Sequence, residues 1–346
     1  MIGKVLTVLG PIDPADVGPA LLHEHLLNEI SAMVPPPEDP DLRRLYEQPV
    51  SLENMAEIQW SRGGMLSRDN IDQGSIELRA SELALFHEAG GRTLAEVSAI
   101  GLRNSAAELP DLAGRSGVQI VAGTAFFVEA LTPPEFLDWS IAQLADFLIR
   151  EHVEGIGDTG VRAGFLGEVG TGAPLMPFEE RSLRASVIAM KETGMGMMVH
   201  TDPWAPGGLA VVDVLEDAGA DLSRIVIGHL NPTLPDIDYH RSIAKRGAVL
   251  GYDLCGYDIV LTPGRFPARD WEMADAVVQL VREGFGDRIV LSMDTALKTD
   301  YVRYGGWGFA HIQKRIGPML LDKGLSEDEL RRITEETPAR ILTLTT

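Results

Sequence analysis

The sequence predicts an α/β protein of the (β/α)8 TIM-barrel class, folded as a single domain over residues 1–346. Three observations predict it. Eight short apolar runs recur along the chain, helix-compatible stretches separate them, and polar residues of the metal-binding types gather at the C-terminal ends of the runs. A chain of 346 residues could hold two average domains, but α/β barrels of this size are routinely single. No internal repeat, low-complexity tract or linker divides it.

In chain order the predicted strands begin with "VGPALLHEH" (17–25), "RTLAEVSAI" (92–100), "VQIVAGTAFF" (118–127) and "AGFLGEVG" (163–170). They continue with "MGMMVHTD" (195–202), "RIVIGHLN" (224–231), "AVLGYDLCG" (248–256) and "RIVLSMDT" (288–295). Nearly unbroken apolarity suits strands covered on both faces, as in a parallel sheet. After the first strand, "VPPPEDP" and "SRGGMLSRDN" mark an insertion at about 31–75. Helices are predicted over 178–194, 209–223 and 271–286, the first ending in a glycine suited to a C-cap. After the seventh strand, "YDIVLTPGRFPARD" (257–270) reads as an extended loop. Eight strands alternating with helices favour a closed barrel over an open doubly wound sheet.

The stretch "LLHEHLL" (21–27) sets His23, Glu24 and His25 into an apolar run, where each costs free energy unless partnered. His23 and His25 end the first predicted strand and, being two apart, share one face. Glu168 falls late in the fourth, His200 late in the fifth, His229 late in the sixth and Asp294 at the end of the eighth. Catalytic groups of such barrels project from these ends.

Each residue alone has an ordinary reading: a hydrogen-bonded core histidine, an ion-paired Glu168, an N-cap at Asp294. Four of eight histidines in equivalent places, with two acids beside them, argue jointly for metal. Imidazole with carboxylate suits zinc first, with manganese, cobalt or iron as alternatives, rather than calcium or magnesium. Six ligands exceed a simple zinc site, so two divalent ions sharing a bridging carboxylate fit the count better. His23 and His25 would hold one of them. Glu24 points to the opposite side, where an arginine or backbone groups would pair it.

Composition narrows the partners. A net charge of −21 disfavours nucleic acid and anionic membrane surfaces, both of which call for basic patches. No apolar run approaches the length of a bilayer span, and the N-terminal stretch lacks the parts of a signal peptide. Cys255 is the only cysteine, which excludes an internal disulfide and a thiolate metal cluster. These features point to a cytoplasmic protein acting on a small molecule.

Along nearly its whole length the chain resembles the phosphotriesterase family of the amidohydrolase superfamily. The matching pieces are "LLHEHLL", "GGRTLAEVSAIGLRN", "GVRAGFLGEVGTG", "MMVHTDP", "DLSRIVIGHLN", "VLSMDT", "YGGWGFAHI" and "TPARIL". The resemblance implies a barrel of the metal-dependent hydrolase type. It implies that His23, His25 and Asp294 bind the more buried ion and that His200 and His229 bind the more exposed one. Many members bridge the ions with a carboxylated lysine. "FLGEVG" looks instead like the branch in which a glutamate bridges, here Glu168. That branch holds phosphotriesterase-related proteins, similar to resiniferatoxin-binding proteins and including N-acetyltaurine amidohydrolases.

Departures matter as well. The aspartate and histidine that relay protons in phosphotriesterases proper are missing, since the matching segments give Asn231, Pro232 and Leu254. Glu96 and Thr337-Pro338 replace an aspartate and an Asn-Pro, with no functional meaning attached. Relatives often pair, which implies a possible homodimer.

The expected mechanism follows. Two ions held by these residues would activate a water for attack on a carbonyl or phosphoryl centre. Asp294 accepts the proton and passes it to the leaving group. Around the site, Phe126, Phe127, Trp204 and Trp307 are candidates for an apolar wall, and Lys298, Arg303 and Tyr304 for an anionic substrate end. The favoured substrate is an ester, lactone or amide. Phosphotriester hydrolysis is the enzymatic alternative, and a ligand-binding protein with a residual metal site is the alternative of another class.

Overall fold

Eight strands run parallel, in sequence order, around a barrel: β3 (Ala20–Glu24), β4 (Thr93–Glu96), β5 (Gln119–Thr124), β6 (Phe165–Gly170), β7 (Met197–His200), β8 (Ile225–Ile227), β9 (Val249–Tyr252) and β10 (Ile289–Leu291). The computed structural model describes residues 1–31, 34–61, 64–257 and 268–346. Closure between the first and last strands comes from backbone bonds at their C-terminal ends: Asp294 N–H donates to the His23 carbonyl at 3.1 Å and His25 N–H to the Thr295 carbonyl at 3.3 Å. Ahead of the barrel, β1 (Val5–Thr7) and β2 (Gly10–Ile12) form a short antiparallel hairpin.

The interior is a packed column, as expected for this fold. Leu22, Val121, Phe165, Met198, Val226 and Val290 point into it, and Val5, Ile341 and Leu342 seal its lower end. A second apolar layer lies between strands and outer helices. The predicted helix over 178–194 is Pro177–Thr193, capped by Gly194 in the left-handed conformation (φ 73°). The other two are Gly208–Asp217, shorter than predicted, and Asp270–Leu280. Among the described residues, no helix is long and apolar enough to cross a membrane.

The segment between β3 and β4, predicted as an insertion, is structured. It carries short helices at Pro40–Glu47, Met55–Trp60 and Arg68–Ile71 around a small core of Val34, Leu45, Tyr46, Ile58 and Leu66. Its last residues also brace the barrel mouth. The buried Gln73 side chain donates to the His25 carbonyl at 2.6 Å and accepts from Asn28 N–H at 3.0 Å. Of the predicted strand-seven loop, residues 258–267 lie outside the described residues.

The observed strands stop short of the predicted runs, and the reason bears on function. Interior positions on β3 are Ala20 and Leu22, so strict alternation would turn His23 and His25 outward. A register shift between Leu21 and Glu24 breaks the alternation and turns both histidines toward the barrel axis. A matching shift on β6 lies between Leu166 and Val169, and it turns Glu168 inward past the interior Phe165. His229 and Asp294 lie beyond β8 and β10 with left-handed backbones, φ 57° and 51°.

Candidate metal centre

His23, His25, Glu168, His200, His229 and Asp294 converge at the C-terminal mouth. His23, His25 and Asp294 form one group whose ligand atoms all lie within 4.8 Å of one another, and Glu168, His200 and His229 form a second on the same criterion. The Glu168 carboxylate lies between them. Its Oε2 is 3.1 Å from His23 Nε2 and 3.0 Å from His200 Nδ1, and its Oε1 is 3.4 Å from His25 Nε2. Asp294 Oδ1 is 3.1 Å from His25 Nε2 and 3.7 Å from His23 Nε2. His229 Nε2 is 2.8 Å from His200 Nδ1.

Supporting hydrogen bonds set which imidazole nitrogen is free. Asp253, one residue past β9, accepts from His23 Nδ1 at 2.8 Å, His229 Nδ1 at 3.1 Å and His229 N–H at 2.8 Å. Ser98 Oγ meets His25 Nδ1 at 2.9 Å and in turn donates to Glu96. Three imidazoles therefore have Nδ1 committed and Nε2 aimed at the centre. Among the described residues the buried His23 Nε2 makes no well-formed hydrogen bond, its 3.1 Å approach to Glu168 Oε2 being an ionic contact only. An unpartnered buried nitrogen among carboxylates is costly unless a cation meets it, so the donor set fits a metal.

Electrostatics agree. Burial alone would push His23 down, but Asp253, Glu168 and Asp294 outweigh it and raise its pKa well above the usual value. Burial would raise Glu168, yet His23 and His200 hold it well below the carboxylate range. Asp253 is likewise lowered, against burial, by His229 and His23. Cationic charge is thus favoured at this point whether protons or metal ions supply it. Glu24 is paired by backbone, not by an arginine: it accepts from Met293 N–H at 2.7 Å and Thr295 N–H at 2.9 Å. Burial outweighs those bonds and raises its pKa to about 7.

A cavity of about 450 Å³ opens over the cluster. His25, Glu168, His200, His229 and Asp294 form its floor, and Ile30, Met65, Leu102, Phe127, Trp204 and Leu254 much of its wall. The Phe127 ring packs edge-on against His200, centroids 4.8 Å apart.

Other predicted pocket residues lie elsewhere. Phe126 is fully buried behind the wall, against Phe136, Phe147 and Phe178, because successive residues face opposite ways. Lys298 is buried in an ion pair with Asp69 of the insertion at 2.7 Å. Arg303 and Tyr304 line a separate surface depression with Ser75 and Glu77. Trp307 stacks on His311 at 4.6 Å and lines a neighbouring pocket of about 230 Å³.

Sequence reasoning missed Asp253, the Ser98–Glu96 link and Tyr257, which lines the cavity. One signal was available for Asp253: "GYDLCG" carries an acid at a strand end, as "LSMDT" does for Asp294.

Comparison with known proteins places the chain. The profile of the phosphotriesterase family matches residues 3–342. An N-acetyltaurine hydrolase of Rattus norvegicus is 33% identical over 346 residues, covering 99% of this chain and 98% of that protein. The crystal structure of a resiniferatoxin-binding protein from Rhodobacter sphaeroides superposes with a TM-score of 0.94 at 32% identity, covering 98% of this chain and 95% of that one. A lactonase from Listeria monocytogenes gives 0.78 at 26% identity, covering 99% and 100%. A profile match spanning nearly every residue, joined to relatives aligned end to end, shows that this chain belongs to the phosphotriesterase family.

Proposed function

We propose that this metal-dependent hydrolase holds two divalent ions, zinc foremost, and cleaves a carbonyl bond in a small substrate: an ester, lactone or amide. His23, His25 and Asp294 would hold one ion, His200 and His229 the other, and Glu168 would bridge them. The observation that carries the reading is Glu168 between two ligand groups, with contacts of 3.0–3.4 Å to imidazoles of both. When bound, such a pair activates water and polarises the substrate oxygen.

The chain's own groups do the rest. Asp294 Oδ1 accepts the proton of the attacking water and returns it to the leaving group, which departs as alcohol or amine. Asp253 and Ser98 hold the histidines so that Nε2 faces the centre. Phe127, Trp204 and Leu254 shelter the reacting carbonyl from bulk water and offer a wall to an apolar acyl or alkyl group. The named relatives, an amide hydrolase and a lactonase, support carbonyl chemistry. Leu254 on the wall has no proton to relay, which supports carbonyl over phosphotriester substrates.

The test joins elemental analysis of purified protein to turnover assays with N-acetyltaurine, N-acyl amino acids, aliphatic lactones, aryl esters and paraoxon. Two ions per chain with carbonyl turnover are expected. Paraoxon as the best substrate would replace the reading with phosphotriester hydrolysis. Bound metal without any turnover would replace it with a binding protein.

A further inference from the structure

We infer that Tyr257 is a positioning residue for Asp294, a role that rests on the hydrolytic reading above. Asp294 is a non-glycine residue held at φ 51°, a strained conformation that persists only where neighbours impose it. The neighbours here are identifiable. Asp294 N–H donates to the His23 carbonyl at 3.1 Å, tying it to the strand that carries two other ligands. On either side, Glu24 takes the amides of Met293 and Thr295.

The remaining polar group is the Asp294 carbonyl, and Tyr257 supplies its donor: the phenol lies 3.0 Å from it. Tyr257 has one proton to give, and Asp300 Oδ2 at 3.5 Å is too distant to compete well. Asp300 Oδ2 is already occupied by Ala296 N–H at 3.0 Å and Leu297 N–H at 2.8 Å. The phenol therefore closes a four-sided clamp on the one residue that must be both metal ligand and proton acceptor.

The position of the ring strengthens the assignment. Tyr257 stands between the catalytic cavity and the neighbouring pocket lined by Thr295, Asp300 and Trp307, and it contributes to the wall of both. Removing the hydroxyl alone leaves the wall in place, releases the carbonyl and lets Asp294 relax toward ordinary backbone angles. The carboxylate would then swing from its place beside His25 Nε2.

The test uses Tyr257→Phe in the metal-loaded full chain, with the best substrate from the panel above. The expected result is a fall in kcat of about tenfold with KM within about twofold. Loss of metal to a chelator should also speed up about tenfold, since one ligand is less well held. A purely structural role would lower the folded fraction and leave the chelator rate of the folded protein unchanged. A raised KM at unchanged kcat would mean that the phenol binds substrate, and this would overturn the assignment. So would kcat and chelator rate both within about twofold of the parent. If the parent turned over no substrate, the hydrolytic reading would fail, while the chelator comparison would still decide whether Tyr257 holds Asp294.

Discussion

Replacing Asp253 by Asn keeps the shape of the side chain and removes one of its acceptors. Asp253 uses both oxygens: Oδ2 faces His23 Nδ1 at 2.8 Å, and Oδ1 faces His229 Nδ1 at 3.1 Å. In either amide orientation, the NH₂ meets one imidazole N–H donor to donor. That ring must move its proton to Nε2, the atom aimed at the metal, or turn away. His23 and His229 share a group with Asp253, but each also belongs to a separate one of the two groups proposed above to hold the ions, so on that reading one ion would lose a ligand.

A hydrogen bond to a charged group is worth about 1.5–3 kcal/mol, and about 2 kcal/mol corresponds to roughly 30-fold in an equilibrium constant. Asp253→Asn should therefore weaken one ion by roughly 30-fold and leave the second nearly unchanged. Competition against a graded chelator series, read by metal stoichiometry on folded protein, measures it. Two ions retained at parental affinity, with parental kcat, would refute the argument that Asp253 sets the tautomers.

Three further predictions can be checked directly. Asp294→Asn keeps a ligating oxygen and abolishes proton acceptance, so kcat should fall by about 10²–10⁴ with metal still bound; near-normal turnover removes Asp294 from that role. Glu168 bears its own carboxylate, so apo-protein should regain activity with divalent metal in bicarbonate-free buffer; a requirement for added bicarbonate would contradict Glu168 as the bridge. His240 is fully buried against Tyr252 and Thr233, and burial lowers its pKa to about 4. The unfolded chain then binds a proton below about pH 6.5 that the folded chain refuses until about pH 4. Stability is thus complete above that window and declines through it, by about 2 kcal/mol at pH 5 from this group. Urea unfolding of His240→Gln should lack that increment; an unchanged pH slope would reject it.

The fold and the nature of the site were legible in local sequence because they depend on local pattern. Buried parallel strands need apolar runs, and alternating them with helices implies a barrel. His23, His25, Glu168, His200, His229 and Asp294 stood out because polar groups in apolar runs need partners. His200 needed no more than alternation, two residues beyond the interior Met198 on β7.

What only the tertiary structure decided is how His23, His25, Glu168 and His229 come to face inward. Alternation from Leu22 would have turned His23 and His25 out of the barrel, and alternation from Phe165 would have done the same to Glu168. Register shifts on β3 and β6 and a left-handed residue at His229 reverse those directions. Such breaks are set by neighbouring strands, so no single run announces them. Asp253, Ser98 and Tyr257 were hidden for the same reason. Their roles lie in bonds to His23, His25 and Asp294, residues far away in the chain, and a hydrogen bond depends on distance in space. The sequence determined which chemistry the barrel mouth would hold. Packing between strands determined its geometry.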